Sequence, residues 1–160
     1  MPSLGPNEPL IGKPDSRQSL TTPALIVDLD AMERNIATMA AHCQKHGVAL
    51  RPHAKSHKSV RIAKLQIEAG AVGVCAATLS EAEALADAGI PGVLLTSPVA
   101  GAAKIERLIA LNERADGFKT VADNATIIDT LSNAAGASGN PLDVFVELDI
   151  GTKRTLSLIH

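Results

Sequence analysis

Residues 69–90, AGAVGVCAATLSEAEALADAGI, contain one complete strand–helix unit. The apolar run Val72–Ala77 predicts a buried strand, and the stretch Ser80-Glu81-Ala82-Glu83 predicts a capping box at the start of a helix. Gly89 is a typical helix terminator, so the helix is predicted to end there. Units of this kind, each roughly 20–25 residues long, recur along the chain.

Six strands are predicted in total, and five helices alternate with them. The strands are placed at Ala24–Leu29, Val48–Pro52, Val72–Ala77, Val93–Thr96, Phe118–Val121 and Leu142–Ile150. The first helix is predicted to begin at Asp30, with Glu33 in its first turn. Strict alternation of strands and helices predicts an α/β fold with a parallel sheet.

Two parallel architectures are compatible with this alternation, an open doubly wound sheet and a (β/α)8 TIM barrel. In Leu142–Ile150 the apolar residues alternate with Glu147 and Asp149, which gives the strand one polar face. A sheet covered by helices on both faces is apolar on both sides, so a polar face favours the barrel. Six strands are fewer than eight, and the chain therefore resembles the first two-thirds of a barrel.

The composition excludes several classes of protein. Of the 160 residues 46% are hydrophobic and 20% are charged, a balance that excludes disorder over the whole length. The net charge of −2 and the absence of Tyr and Trp argue against a nucleic-acid partner. No apolar run is long enough for a signal peptide or a membrane span, and Cys43 and Cys75 suit small core positions. We expect a cytoplasmic protein without a membrane partner.

The densest group of reactive side chains is Arg51–Lys58, RPHAKSHK, at the carboxyl end of the second predicted strand. Catalytic residues of parallel α/β proteins collect at this end of the sheet. Alternation along the strand would place Arg51, His53 and Lys55 on one face. Crowding of cations favours a neutral amine, the form that a Schiff-base lysine requires. Solvated loop charges are the competing interpretation.

Other polar residues give weaker signals. His53 and Thr78 lie at strand ends and are candidates for lining a cofactor pocket. His53 and His57 have a metal-ligand spacing, but no third ligand is near, and no metal site is predicted. Glu147 and Asp149 could act as an acid pair or neutralise the Arg51–Lys58 cluster.

Five segments together resemble a known family. They are TPALIVDLDAMERNI (22–36), RPHAKSHKS (51–59), residues 69–90, LLTSPV (94–99) and the GxxRT pattern of residues 151–155. Their order and spacing are similar to the N-terminal part of the fold-type III pyridoxal-phosphate enzymes. The resemblance is to the branch that contains D-threonine aldolase, D-3-hydroxyaspartate aldolase and D-serine dehydratase, which is related to alanine racemase. It covers about residues 22–155.

The resemblance implies roles for particular residues. Lys55 would form the covalent bond to pyridoxal 5'-phosphate, and Arg154 would contact the phenolic oxygen of the pyridine ring. The family continues with the last barrel strands, a phosphate site and a C-terminal β-domain that carries a divalent metal. No residues of this sequence match those parts, and intact relatives commonly form homodimers.

The implied activity is that of a lyase acting on D-3-hydroxy amino acids, with retro-aldol cleavage to glycine and an aldehyde or glyoxylate. We expect little or no turnover from the 160-residue chain alone. The alternatives are a non-catalytic pyridoxal-phosphate carrier, a D-serine dehydratase and a remnant without function. The predicted organisation is a flexible arm over 1–21, the partial barrel over 22–155 and an atypical tail over 156–160.

Overall fold

The computed structural model describes residues 5–151, and the chain divides after Asn35 into two compact units. The first unit contains two short 3-10 helices, Glu8–Leu10 and Ser16–Ser19, and the first residues of helix α1. In this unit the Asn7 side-chain amide donates to the Thr21 carbonyl, and its oxygen accepts from the Thr21 N–H, both at 2.8 Å. The mobility predicted for residues 1–21 stays a prediction.

Helices and strands alternate through the rest of the described chain. The helices are α1 Leu29–Lys45, α2 Val60–Glu68, α3 Leu79–Asp87, α4 Ala102–Arg114 and α5 Ala125–Ser138. The strands are β1 Cys75–Ala76, β2 Leu94–Leu95, β3 Lys119–Ala122 and β4 Asp143–Val146, and a 3-10 turn spans Ala54–Ser56. No helix within residues 5–151 has the length and apolar character that crossing a bilayer requires.

The strands form one parallel sheet in the order β1-β2-β3-β4. An isolated parallel bridge from His53 to Cys75 adds a fifth segment beside β1. All carboxyl ends therefore lie along one edge, as the sequence predicts. Helices α3, α4 and α5 cover the sheet, and Leu95, Leu108, Leu111 and Leu131 are among the largest fully buried side chains.

Two of the six predicted strands are wrong as strands. No strand forms at Ala24–Leu29, because the Asp28 side chain accepts the Ala31 N–H at 2.9 Å and Leu29 already belongs to α1. The cap of this helix is thus Asp28 rather than Asp30. Within Val48–Pro52 only two carbonyls pair with the adjacent segment of the same chain: Leu50 accepts the Val72 N–H, and Pro52 accepts the Cys75 N–H. Pro52 has no N–H to donate, so only the bridge at His53 forms.

The last predicted strand, Leu142–Ile150, is shorter in the structure. Strand β4 ends at Val146, and one further bond from the Glu147 N–H to the Ala122 carbonyl, 2.9 Å long, continues the pairing. Beyond it the Asp149 carboxylate accepts the Gly151 N–H at 2.9 Å and turns the chain.

Arg51 lies at the edge of the sheet where the strands begin, opposite the edge formed by their carboxyl ends. Its guanidinium donates to the carbonyl of Gly92, which precedes β2. Gly73 packs against both groups so closely that an added Cβ would overlap the Gly92 carbonyl and the Arg51 guanidinium. Glycine is therefore required at position 73 for steric reasons.

We expect Gly73→Ala to lower the free energy of unfolding by about 1–3 kcal/mol, since backbone and guanidinium must shift to admit the methyl group. Gly136→Ala is the matched control, because Gly136 lies in α5 and an added methyl group there would meet open space. That control should raise the free energy of unfolding by about 0.5–1 kcal/mol. Urea denaturation measures both variants. Equal effects of the two substitutions would contradict the close approach at Gly73.

Candidate active site

A cavity of about 400 Å³ lies at the edge formed by the strand carboxyl ends. Its lining residues lie at the carboxyl end of a paired segment or directly after one: His53, Lys55, Ala77, Thr96, Ser97, Pro98 and Glu147. The volume falls in the range of small-molecule sites, about 300–1,000 Å³. The cavity brings together two of the four site residues that the sequence predicts, His53 and Lys55.

Lys55 projects from a turn that is anchored in the core. Its neighbour Ala54 is only 4% exposed, whereas the Lys55 side chain is exposed. The Ser56 hydroxyl donates to the His53 carbonyl at 3.3 Å, which braces the turn from its other side. The lysine backbone is thereby fixed while its amine remains accessible from the cavity.

His53 is held by hydrogen bonds at both ring nitrogens. Its Nδ1 accepts the Lys55 N–H at 3.3 Å, so the ring proton of the neutral imidazole is assigned to Nε2. Nε2 lies 3.4 Å from the Thr96 hydroxyl oxygen, and that hydroxyl donates to the Ala76 carbonyl at 2.9 Å. All donors and acceptors in this series match for a neutral His53. The ring connects the Lys55 turn to the end of β2.

Glu147 enters the cavity from the other end of the sheet. Its backbone is fixed beside β3 by the bond to Ala122. Its side-chain oxygen Oε2 is buried and has no hydrogen-bond partner within residues 5–151. A buried carboxylate oxygen without a donor costs free energy, so this atom marks a place where a donor fits.

Thr78, another predicted pocket residue, lies outside this cavity and caps helix α3. Its hydroxyl accepts the Glu81 N–H at 3.2 Å, and Glu81 Oε2 accepts the Ala77 N–H at 2.9 Å. The helix cap is thus Thr78, and the prediction of Ser80 as the cap is wrong. Thr78 lines two neighbouring hollows instead. Its role in cofactor binding stays a prediction.

Other residues of the predicted cluster Arg51–Lys58 lie outside this cavity. The Arg51 guanidinium donates to the Gly92 carbonyl, and Arg51 is not among the lining residues. The predicted crowding of Arg51 with Lys55 therefore does not occur. His57 Nδ1 accepts the Ser59 N–H at 3.0 Å, and burial lowers the pKa of this imidazole. No three His, Cys, Asp or Glu side chains form a metal-binding group in the described range.

Arg154, the predicted partner of the cofactor's phenolic oxygen, lies outside the described residues. Thr96, Ser97 and Pro98 are among the lining residues that the sequence did not indicate. A signal for them exists, because they directly follow the apolar pair of strand β2 in the segment LLTSPV.

Comparisons with known proteins agree with this architecture. The model of the alanine racemase N-terminal domain family matches residues 27–155. A 3-hydroxy-D-aspartate aldolase of Paracoccus denitrificans is 46% identical over 136 residues, which are 84% of this chain and 35% of the relative. A D-threo-3-hydroxyaspartate dehydratase of Delftia sp. is 34% identical over 141 residues, 88% of this chain and 37% of the relative.

A solved structure of D-threonine aldolase from Filomicrobium marinum is also similar. It is 49% identical with a TM-score of 0.81, over 84% of this chain and 36% of the solved chain. These similarities confirm the predicted alanine racemase-type α/β barrel class. The chain spans about a third of the length of the relatives that it matches.

The Glu81 carboxylate, beside the site, makes the stability of the fold depend on pH. The bond from the Ala77 N–H is the largest influence on it, and the Lys58 ammonium lies 3.5 Å away. Together they hold the pKa of Glu81 below its ordinary value. Ionised Glu81 therefore stabilises the fold at neutral pH, and this stability is lost as the pH falls below the ordinary pKa of a glutamate and through the lowered pKa of Glu81.

We expect Glu81→Gln to lower the free energy of unfolding at neutral pH by about 0.3–1 kcal/mol, the size of a charge effect at a helix start. Urea denaturation at pH 7 and at acid pH measures it. The difference from the parent chain should shrink in acid, because Glu81 is then protonated in both the folded and the unfolded chain. Glu113→Gln, an exposed position on α4, is the control. A deficit of the same size at both pH values would contradict the assignment.

Proposed function

The chain belongs to the alanine racemase N-terminal domain family of fold-type III pyridoxal-phosphate proteins, and from this premise we propose that it binds pyridoxal phosphate through Lys55. We further propose that it provides the lysine-bearing part of a lyase site for D-3-hydroxy amino acids. Lys55 is the single cation lining the cavity within the described residues. Its placement on an anchored turn, at the carboxyl edge of a parallel sheet, is the observation that supports the proposal most.

The residues of the cavity fit this cofactor. An exposed primary amine is the group that condenses with an aldehyde, and the hydroxyls of Thr96 and Ser97 give the rim a polar surface. The buried oxygen of Glu147 offers an acceptor to a donor from a bound molecule. Pyridoxal phosphate, when bound, supplies the aldehyde for this lysine and a ring that withdraws electrons from the substrate.

His53 acts as a positioning residue for Lys55 in this account. Its ring accepts the backbone N–H of Lys55 and also contacts the Thr96 hydroxyl. The turn therefore cannot rotate without breaking two hydrogen bonds. A fixed backbone leaves only the lysine side-chain torsions to be ordered when the cofactor binds.

The substrate class follows from the relatives. The more similar of the two curated relatives reported is named as an aldolase of 3-hydroxy-D-aspartate, and the solved structure is a D-threonine aldolase. Aldol cleavage of such a substrate breaks the bond between C2 and C3. The hydroxyl on C3 loses its proton and becomes the aldehyde oxygen, while C2 takes up a proton and leaves as glycine. Dehydration is the second candidate, favoured by the similarity to the Delftia dehydratase.

We expect borohydride reduction in the presence of pyridoxal phosphate to fix the cofactor on Lys55 and nowhere else at stoichiometric loading. Lys55→Ala should lose the label. Lys58→Ala is the matched control, three residues away and 71% exposed, and should retain it. Mass mapping of the peptide that contains residues 51–58 gives the result. A label that persists in Lys55→Ala, or that sits on Lys58, would refute the proposed cofactor site.

The reaction type is tested by the products of D-threonine and of D-3-hydroxyaspartate. With isotope-labelled substrate, glycine is the expected amino product, whereas dehydration gives a 2-oxo acid and ammonia. We expect slow turnover, because both ring nitrogens of His53 are already engaged in the described part of the cavity. Mass spectrometry of a stoichiometric reaction detects even a single turnover. A 2-oxo acid without glycine would replace the aldolase proposal by the dehydratase one.

A further inference from the structure

Two histidines lie one helical turn apart at the carboxyl end of helix α1. His42 and His46 are four residues apart, and the centroids of their rings are 4.6 Å from each other. Residues at positions i and i+4 share one face of an α-helix, so both imidazoles project from the same side. Both residues are exposed, and neither of them lines the cavity that contains Lys55.

The backbone that carries the two rings is fixed by hydrogen bonds. The His46 N–H donates to the His42 carbonyl at 3.2 Å. The Val48 N–H donates to the Cys43 carbonyl at 3.0 Å, and Gly47 adopts the left-handed conformation, with φ of 63°, that commonly ends a helix. The last turn of α1 therefore sets the distance between the backbones of His42 and His46, and only side-chain torsions remain to be ordered.

The separation of the rings matches that of two adjacent ligands of one metal ion. A metal–nitrogen bond of about 2.0–2.1 Å places the ion about 3.2 Å from the centroid of each imidazole ring. Two such rings at about 90° around the ion have centroids about 4.5 Å apart, whereas the tetrahedral angle gives about 5.2 Å. The observed 4.6 Å corresponds to the first arrangement. Right angles between neighbouring ligands are typical of square-planar and tetragonal sites for Cu(II) and Ni(II).

Rotation of the two rings directs their nitrogens to one point without changing this separation. The centroid of an imidazole ring lies close to the line of its Cβ–Cγ bond, and the torsion about that bond has a broad distribution. The carbonyl end of a helix also attracts cations. The other two described histidines, His53 and His57, each use Nδ1 to accept a backbone N–H, so that nitrogen is not available to a metal ion.

We propose that His42 and His46 form a binding site for a divalent transition-metal ion such as Ni(II) or Cu(II), held by one nitrogen of each imidazole. Among the residues that the structure describes, no third His, Cys, Asp or Glu joins them, so the site has two ligands from this part of the chain. The ion bridges the last turn of α1, from which the chain continues to the turn that carries Lys55. Because the unfolded chain does not hold the two rings together, the bound ion stabilises the folded chain.

Isothermal titration of the full 160-residue chain with Ni(II), in a buffer that does not chelate metals, tests the site. We expect His42→Ala and His46→Ala each to weaken the binding of Ni(II) by about 10-fold or more, because the second imidazole of a pair binds at a high effective concentration. Gln44→Ala, an exposed position in the same turn, is the matched control and should change the affinity by less than about 2-fold.

A double variant separates the spacing of the pair from the number of histidines. Gln44→His combined with His46→Ala keeps five histidines in the chain but places the second imidazole two residues after His42, on a different side of the helix. We expect it to bind Ni(II) as weakly as His46→Ala does. Circular dichroism checks that every variant is folded, and Ni(II) should raise the midpoint of thermal unfolding of the parent chain and of Gln44→Ala but not of the histidine variants. Parent-like affinity in any histidine variant, or no binding of Ni(II) by the parent chain, would refute the site.

Discussion

Parallel hydrogen bonding along one sheet is the constraint on which the candidate site depends. Because every strand runs in the same direction, each carboxyl end falls on the same edge, and the lining residues of the cavity lie at or directly after those ends. A flat sheet would separate the His53 segment from β4 by four strand spacings, about 19 Å. Lys55 and Glu147 line one cavity, so the sheet curls toward a barrel and brings its two ends together.

The opposite edge of the sheet shows what this curl requires. There Arg51 donates to the Gly92 carbonyl, and Gly73 lies against both groups with no room for a side chain. Arg51 and His53 are two residues apart, so the segment that carries Arg51 at the closed end carries His53 at the open end. Close backbone packing at one edge and a polar cavity at the other thus lie at the two ends of the same short segment.

The alternation of strands and helices and the position of Lys55 could be predicted, because apolar periodicity and a cationic strand end are local features of the sequence. The predictions that were wrong involve interactions that periodicity does not encode. Pro52 lacks the N–H that a full strand would use, and Asp28 caps a helix where an apolar run predicted a strand. Thr78 is another such case, since a strand-end hydroxyl can face a cavity or cap the following helix, and here it caps. That Lys55 and Glu147 line one cavity depends on the curvature of the whole sheet, which is not a local feature of the sequence.

A cross-linking measurement tests this curvature most directly. Cys43 and Cys75 are replaced by alanine, cysteines are placed at positions 55 and 147, and a bifunctional thiol reagent clearly shorter than about 19 Å is added. We expect an intramolecular cross-link between positions 55 and 147. We expect none between position 55 and a cysteine at exposed position 129 on α5. Absence of the 55–147 cross-link in the folded chain would contradict the shared cavity and, with it, the arrangement proposed for the site.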